Sequence, residues 1–286
     1  MICYYHRADL DGQCSGAIIK QTFPNCRMVG VDYGDDCQEM VSMADDGEEI
    51  IVVDFCFEPF TWMEVLASRG GLTWLDHHKT AIEASDKSDI NIFGKREIGS
   101  AACELTWEYY RPGIKMPLSV HYLGRFDVWD WKDRDEPIRE FQLGMGIHAT
   151  QPGDKIWDEV LFTPKDDLTY ERTNTVDRIV SDGEAIQGYL VQQNEFLVKE
   201  GSFETTIDGH RAIVLNTPIR GSHQFDAIQL EENYPVMAVY CYLGDGKWRY
   251  SLYSDSDVDV GAIASEYGGG GHSGAAGFQT TAPVFS

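Results

Sequence analysis

The chain has 286 residues, 43% hydrophobic and 12% aromatic, enough apolar material for one or two packed domains and too much for a disordered chain. Its 47 acidic residues against 23 basic ones leave a formal net charge of −24, which opposes binding to long duplex nucleic acid, where Lys and Arg must replace counterions. Seven cysteines without a Cys-x-x-Cys pair point to reduced thiols and a cytoplasmic protein, and no apolar run reaches the roughly 18 residues of a membrane span.

Met1 to Arg7 lacks the apolar core of a signal peptide. Ile2 to Tyr5 reads as a short strand that runs into His6-Arg7-Ala8-Asp9-Leu10-Asp11-Gly12, and a helix follows through Ala17-Ile18-Ile19. Arg27 to Val31 is a second strand. Glu49 to Asp54 is the clearest one, with four β-branched residues in a row before an acid. A helical stretch from Pro59 to Ala67 leads to the strand Leu72 to Leu75, which ends in Asp76-His77-His78. Alternating strands and helices predict a doubly wound parallel sheet, whose sites lie at the C-terminal ends of its strands.

From Gly99 onward the chain reads mostly helical. One helix opens at Ser100-Ala101-Ala102, capped by Ser100 or Gly99. Another runs from about Pro117 toward Asp127-Val128-Trp129-Asp130-Trp131. Thr169 to Lys199 reads as a long helix joining two domains, with a break expected near Gly183 or Gly188. Strands return at His210 to Leu215, Val236 to Leu243 and Lys247 to Ser254, with Gly244-Asp245-Gly246 as a hairpin turn. Asp257 to Tyr267 is a helix, followed by Gly268-Gly269-Gly270-Gly271-His272-Ser273-Gly274-Ala275-Ala276-Gly277.

Three strand ends thus carry His6/Asp9/Asp11, Asp54 and Asp76/His77/His78. Imidazoles with carboxylates form a ligand set suited to Mn2+ or Mg2+, with Zn2+ and Fe2+ as further fits. Asp54 ends a strongly hydrophobic strand, where a carboxylate is costly unless a cation pairs with it. Asp127 would add one more carboxylate. Taken singly, Asp9 and Asp11 also suit turn and helix-cap positions. The glycine run leaves backbone free of side chains, able to approach an anion with its N–H groups, and His272 can donate to a phosphate oxygen. A flexible linker is the plain alternative, opposed by the small residues that follow.

These four landmarks, in this order, resemble the DHH phosphoesterase superfamily, in the subgroup with a C-terminal DHHA1 domain. The closest resemblance is to oligoribonuclease (nanoRNase) and pAp-phosphatase-like members. The resemblance implies an N-terminal doubly wound DHH domain of about residues 1–180, a linker helix over about 170–200 and a smaller α/β DHHA1 domain of about 201–286 across a cleft. It implies a metal-dependent phosphoesterase holding two divalent ions, Mn2+ first and Mg2+ as the alternative. His6 and Asp9 would hold one ion, Asp54 would bridge, and Asp11, His77 and Asp127 would complete the other, Asp130 being an alternative to Asp127. Asp76 and His78 would orient His77 or meet phosphate. Gly269, Gly270, Gly271 and His272 would grip the substrate's terminal phosphate.

The expected substrates are short single-stranded oligonucleotides or small nucleotides, with cyclic dinucleotides or polyphosphate as alternatives, and a nucleotide-binding regulator as the non-enzymatic one. A homodimer accords with relatives that pair. Ser251-Leu252-Tyr253-Ser254 stands where relatives often carry a phosphate-holding arginine; Arg249, Arg220 and Lys79 are the substitutes on offer.

Overall fold

A computed structural model describes residues 1–132, 134–161, 174–219, 221–226, 228 and 232–284. The chain divides into two compact units, Met1–Gln187 and Gly188–Ser286. Among the described residues, no helix is long and apolar enough to cross a membrane.

The first unit is built on four strands: β1 (Ile2–His6), β2 (Arg27–Val31), β3 (Ile50–Val53) and β4 (Leu72–Leu75). They pair in parallel in the order β2-β1-β3-β4. Between them run α1 (Leu10–Thr22), α2 (Cys37–Ser42) and α3 (Thr61–Arg69). Strands β1 and β3 are buried throughout, as expected for central strands covered on both faces. Their side chains alternate. Ile2, Tyr4, Ile50, Val52 and Trp74 join one core, while Cys3, Tyr5, Ile51, Val53 and Leu75 join another. Each large side chain so buried contributes about 1.5–3 kcal/mol. The two central strands follow opposite crossover directions, so the switch point of the sheet lies between β1 and β3.

After β4 the unit is helical: α4 (Lys79–Ser85), α5 (Ala102–Tyr110), α6 (Leu118–Asp127), α7 (Ile138–Met145) and α8 (Lys155–Val160). The apolar faces of α5 to α8 meet α1 in a third core that includes Ile18, Trp107, Leu123, Phe141 and Trp157, while Ala81 of α4 joins the core of Trp74. The helix α9 (Asn174–Gly201) carries the boundary between the units. It runs unbroken through Gly183 and Gly188, contrary to the expected break. Its early residues Val176, Ile179 and Val180 belong to the first unit's core, and Val198 to the second's. Residues 169–173 of the expected helix lie outside the described residues.

The second unit holds β5 (Ser202–Ile207), β6 (His210–Asn216), β7 (Val236–Gly244), β8 (Lys247–Tyr253), α10 (Val260–Glu266), β9 (Gly270–His272) and β10 (Ala275–Thr280). The sheet order is β5-β6-β7-β8-β10-β9. Only the β6–β7 pair is parallel among these neighbours. Asp245 and Gly246 both take positive φ, 49° and 73°, the geometry of a tight hairpin between twisted strands. One core gathers Val214, Val236, Tyr250, Leu252, Ile263 and Phe278, and Leu215, Phe225, Tyr234 and Met237 lie in another.

One cap differs from expectation. The residue before α5 is Ala101, not Ser100 or Gly99. Its N–H donates to Glu104 at 3.0 Å, while the next two N–H groups, of Ala102 and Cys103, donate to Asp11 at 2.9 and 2.7 Å. A carboxylate from α1 therefore does what a local Ser would do.

Candidate active site

All four strands of the first sheet end in a metal-capable side chain. His6 is the last residue of β1; Asp32, Asp54 and Asp76 directly follow β2, β3 and β4. Asp32 was not among the expected site residues, although its place immediately after a strand is the same signal the other acids give. Its Oδ1 lies 3.5 Å from His6 Nε2.

The loop after β1 is shaped by one glycine. A Cβ on Gly12 would stand 2.2 Å from the His6 carbonyl oxygen, so only glycine lets α1 start this close to the strand end. Asp9 caps that helix, its Oδ1 accepting from Gly12 N at 2.9 Å. Its other oxygen is 2.6 Å from His6 Nδ1. The cap reading and the site reading of Asp9 are both met, by different oxygens.

Asp54 is the centre of the arrangement. It is buried, and its backbone takes a left-handed φ of 54°, a conformation that costs a non-glycine residue energy and is concentrated at functional sites. Asp54 Oδ2 is 3.6 Å from His6 Nδ1, and Oδ1 is 3.3 Å from His77 Nε2. His77 Nε2 in turn lies 3.6 Å from Asp11 Oδ2 and 3.3 Å from Asp127 Oδ2. Among the described residues, donor atoms within 4.8 Å of one another form three groups: His6, Asp9 and Asp54; Asp54, His77 and His78; Asp11, His77 and Asp127. Asp130, the alternative to Asp127, is turned elsewhere: it accepts from Arg125 at 3.1 Å and Arg134 at 2.6 Å.

Close as these contacts are, His6 Nδ1, Asp54 Oδ1 and His77 Nε2 are buried without an aligned hydrogen-bond partner among the described residues. Buried polar atoms of native proteins are normally paired. Atoms that converge without aligned N–H···O geometry are what a cation site requires, and the oxygen-and-imidazole donor set fits Mn2+ or Mg2+.

The charges say the same. Burial pushes the Asp54 carboxyl up to about 8; contact with His6 pulls against it, and the negative Asp9 and Asp76 add to the rise. Burial also raises Asp11, with Asp54 and Asp127 adding to it, and burial raises Asp127. Around His6, burial opposes the charge, but Asp54 and Asp9 outweigh it and lift the imidazole to about 10. Asp9 stays below the usual carboxylate range because His6 and the Gly12 N–H overcome its burial. A cation added to this excess of carboxylates relieves their repulsion.

Asp76 fixes the triplet from below. It is fully buried, and it meets His77 at the backbone. Its Oδ1 accepts the backbone N–H groups of His77 and His78 at 2.7 and 3.0 Å and meets His78 Nδ1 at 2.7 Å, while Trp74 Nε1 donates to Oδ2 at 3.2 Å. The bond to Asp76 raises the His78 imidazole to about 9 against its burial. The same bond fixes the orientation of the His78 ring beside the cluster.

A second ion pair sets the far side. Arg125 Nε donates to Glu104 Oε1 at 3.0 Å, and its Nη2 meets Oε2. This pair joins α5 to α6, at whose end Asp127 sits. Neither residue stands out in the sequence, because the pairing spans two helices.

In the second unit, the glycine run divides by role. Gly268 N and Gly269 N donate to Ser265 O and Ala264 O at 3.0 and 2.9 Å. They close α10, so the Gly269 N–H is not available to grip an anion as expected. Gly271 needs to be glycine, with φ 146° and a would-be Cβ 2.5 Å from Ala276 Cα. Gly270 has open space around it, and His272 is exposed at the end of edge strand β9. Tyr253 cannot stand in for an arginine: its hydroxyl accepts from Gly221 N at 2.8 Å. Lys79 lies 3.7 Å from Glu83, and Arg220 is outside the described residues. Arg249 lines a cavity of about 430 Å3 together with Ser251, Gly268, Gly269, Gly277 and Gln279.

The DHHA1 domain family matches residues 222–284. Oligoribonuclease NrnB of Bacillus subtilis (strain 168) is 23% identical over 244 residues, covering 78% of this chain and 56% of that protein. Uncharacterized protein R106 of Acanthamoeba polyphaga mimivirus is 25% identical over 247 residues, covering 80% and 52%. Among solved structures, the pGpG-specific phosphodiesterase PggH of Vibrio cholerae aligns over 98% of this chain and 93% of its own, with a TM-score of 0.53 and 13% identity. RecJ of Thermus thermophilus, in complex with Mn2+, aligns over 97% and 49%, with a TM-score of 0.51 and 14% identity. The second unit carries a DHHA1 domain, and over most of its length the chain is similar to proteins of the DHH/DHHA1 phosphoesterase superfamily. The DHHA1 match falls wholly within the second unit. The chain spans about half the length of the curated relatives it matches, 52% and 56%.

Proposed function

We propose that this DHH/DHHA1 protein hydrolyses phosphoester bonds of short single-stranded oligonucleotides or small nucleotides, using two divalent ions with Mn2+ preferred. The observation that carries the reading is the position of Asp54, which shares one group of donor atoms with His6 and Asp9 and another with His77 and His78. In this account His6 and Asp9 hold one ion, Asp11, His77 and Asp127 the other, and Asp54 serves both. Divalent ions bound there supply positive charge against the phosphoryl oxygens and acidify the attacking water.

The chain's own residues do the rest. Asp11 is fixed by two backbone N–H groups of α5, so its remaining lone pairs keep one direction. Asp127 is carried by a helix clamped through Arg125 and Glu104. His78, its Nδ1 engaged by Asp76, keeps its other ring nitrogen for a phosphate oxygen. In the DHHA1 unit, Gly270, Gly271 and His272 are assigned to a phosphate of the substrate, with Arg249 lining the same cavity as Gly268 and Gly269. A strongly acidic surface favours substrates whose phosphate contacts are few and local.

The similarity to an oligoribonuclease supports the choice of short RNA over other phosphoesters. The test is Mn2+-dependent hydrolysis of a 5-mer RNA, a linear dinucleotide, pAp, a cyclic dinucleotide and polyphosphate, side by side. Mononucleotides released from the short RNA are the expected result. Cleavage confined to the cyclic compound or to polyphosphate would overturn the substrate assignment, and binding without turnover of any of them would indicate a regulator.

A further inference from the structure

Tyr33 is a large aromatic residue left 47% exposed in the loop after β2. Its ring centroid lies 5.6 Å from that of His6 and 6.5 Å from that of His78, edge-on to both. It therefore borders the proposed phosphoester site at the two imidazoles that flank it.

The ring is backed, not loose. Phe55, buried directly after Asp54, lies 4.8 Å away at 39° to it. Behind Phe55 come Phe57 at 5.1 Å and then Tyr4 at 5.3 Å, both edge-on. An aromatic column thus runs from the core of the sheet to Tyr33, which is its one exposed member.

The loop that carries the ring is braced as well. Arg7 donates to Gly30 O at 3.1 Å and to both oxygens of Asp35, the Nη2 bond being 2.9 Å. Asp35 Oδ2 accepts the Asp32 N–H at 2.9 Å, and Asp32 Oδ1 accepts the Tyr33 N–H at 2.8 Å. An exposed aromatic ring held in place gives up little freedom when a ligand covers it.

From this we infer that Tyr33 is the stacking platform for the nucleobase of the nucleotide whose phosphate is cleaved. The inference rests on the phosphoesterase reading above and adds a residue and a selectivity to it. Base stacking on an aromatic face tolerates every base, because each has a π-face. It would give the enzyme affinity for nucleotides over base-free phosphoesters without sequence preference and without drawing on positive charge, which is outnumbered about two to one in this chain of 23 basic and 47 acidic residues.

The experiment uses the full chain with Mn2+ and steady-state kinetics on a diribonucleotide and on its two abasic analogues, each lacking one base. Wild type, Tyr33→Phe and Tyr33→Ala are compared, with melting temperatures to verify folding. Wild type should lose efficiency on one abasic analogue. Tyr33→Ala should raise KM for the complete dinucleotide roughly ten- to a hundred-fold, with kcat little changed, and leave that abasic analogue unaffected. Tyr33→Phe should behave as wild type. If wild type cleaves the dinucleotide and Tyr33→Ala leaves its KM unchanged, or weakens complete and abasic substrates alike, the platform assignment is wrong while the phosphoesterase reading stands. If wild type cleaves polyphosphate but no nucleotide, both are wrong.

Discussion

Asp54 Oδ1 lies 3.3 Å from His77 Nε2, across the ends of two neighbouring strands, and neither atom has an aligned hydrogen-bond partner among the described residues. This contact joins the β1 side of the site, His6 and Asp9, to the β4 side, His77 with Asp11 and Asp127. An amide in place of the carboxylate keeps the shape and removes the charge. Asp54→Asn is expected to lower kcat roughly a thousand-fold or more, with a melting temperature in the metal-free state equal to or above wild type, since a buried like-charge is gone. Steady-state assays and thermal melts without metal check both halves. Full activity in this variant contradicts the shared-carboxylate assignment.

Asp76 and His78 should separate structure from activity. Asp76 is the common acceptor of three N–H groups, with the Trp74 indole on its other oxygen. Asp76→Ala leaves the His77 and His78 N–H groups without this acceptor, although Trp74 keeps Phe55 O at 2.9 Å, and should destabilise the first unit by about 2–4 kcal/mol. His78→Ala removes only the outermost member and should change stability by less than about 1 kcal/mol, while kcat falls. Urea titrations of the two variants measure the contrast.

Glu104 holds Arg125 and the Ala101 N–H in a largely buried setting. Glu104→Ala leaves Arg125 only its contacts to Asp130 and Gly99 and the buried Ala101 N–H without an acceptor, and is expected to cost about 1–3 kcal/mol. The clamp also carries the helix that ends in Asp127, so the milder Glu104→Gln should lower kcat even where the protein stays folded. Equal kcat in folded Glu104→Gln and wild type would mean that Asp127 is positioned without the clamp.

The glycine run offers a graded series. Gly270→Ala meets open space and should leave stability unchanged. Gly271→Ala meets the Ala276 backbone at a positive φ and should destabilise the second unit by about 1–3 kcal/mol. His272→Ala should preserve stability and raise KM. A His272→Ala protein with wild-type KM on every substrate removes His272 from the substrate site.

The sheet and its chemistry were legible because the signals are local. Arg27 to Val31 and Leu72 to Leu75 read as strands with the bounds they have, and each hydrophobic run stops at an acid or imidazole, so most of the cluster can be named from order along the chain. Asp32 escaped because β2 is the least apolar of the four strands and its acid sits among other acids. The choice between Asp127 and Asp130 could not be made from spacing, since it depends on Arg125 and Arg134 drawing Asp130 away. Asp11 as the cap of α5 spans 91 residues to Ala102, a contact no local pattern encodes. The edge strand β9 and its neighbour β10 were read only as a glycine-rich loop, because glycine and alanine carry too little side chain to show a period of two. The same lack of side chains hid that Gly269 closes a helix.

The most direct test of the account is a calorimetric titration of metal-stripped protein with Mn2+, wild type beside Asp54→Asn. The account predicts about two ions bound per chain in wild type, with a rise in melting temperature, and the loss of at least one of those ions in Asp54→Asn. A wild-type protein that binds no ion, or binds a single ion unaffected by Asp54→Asn, would contradict it.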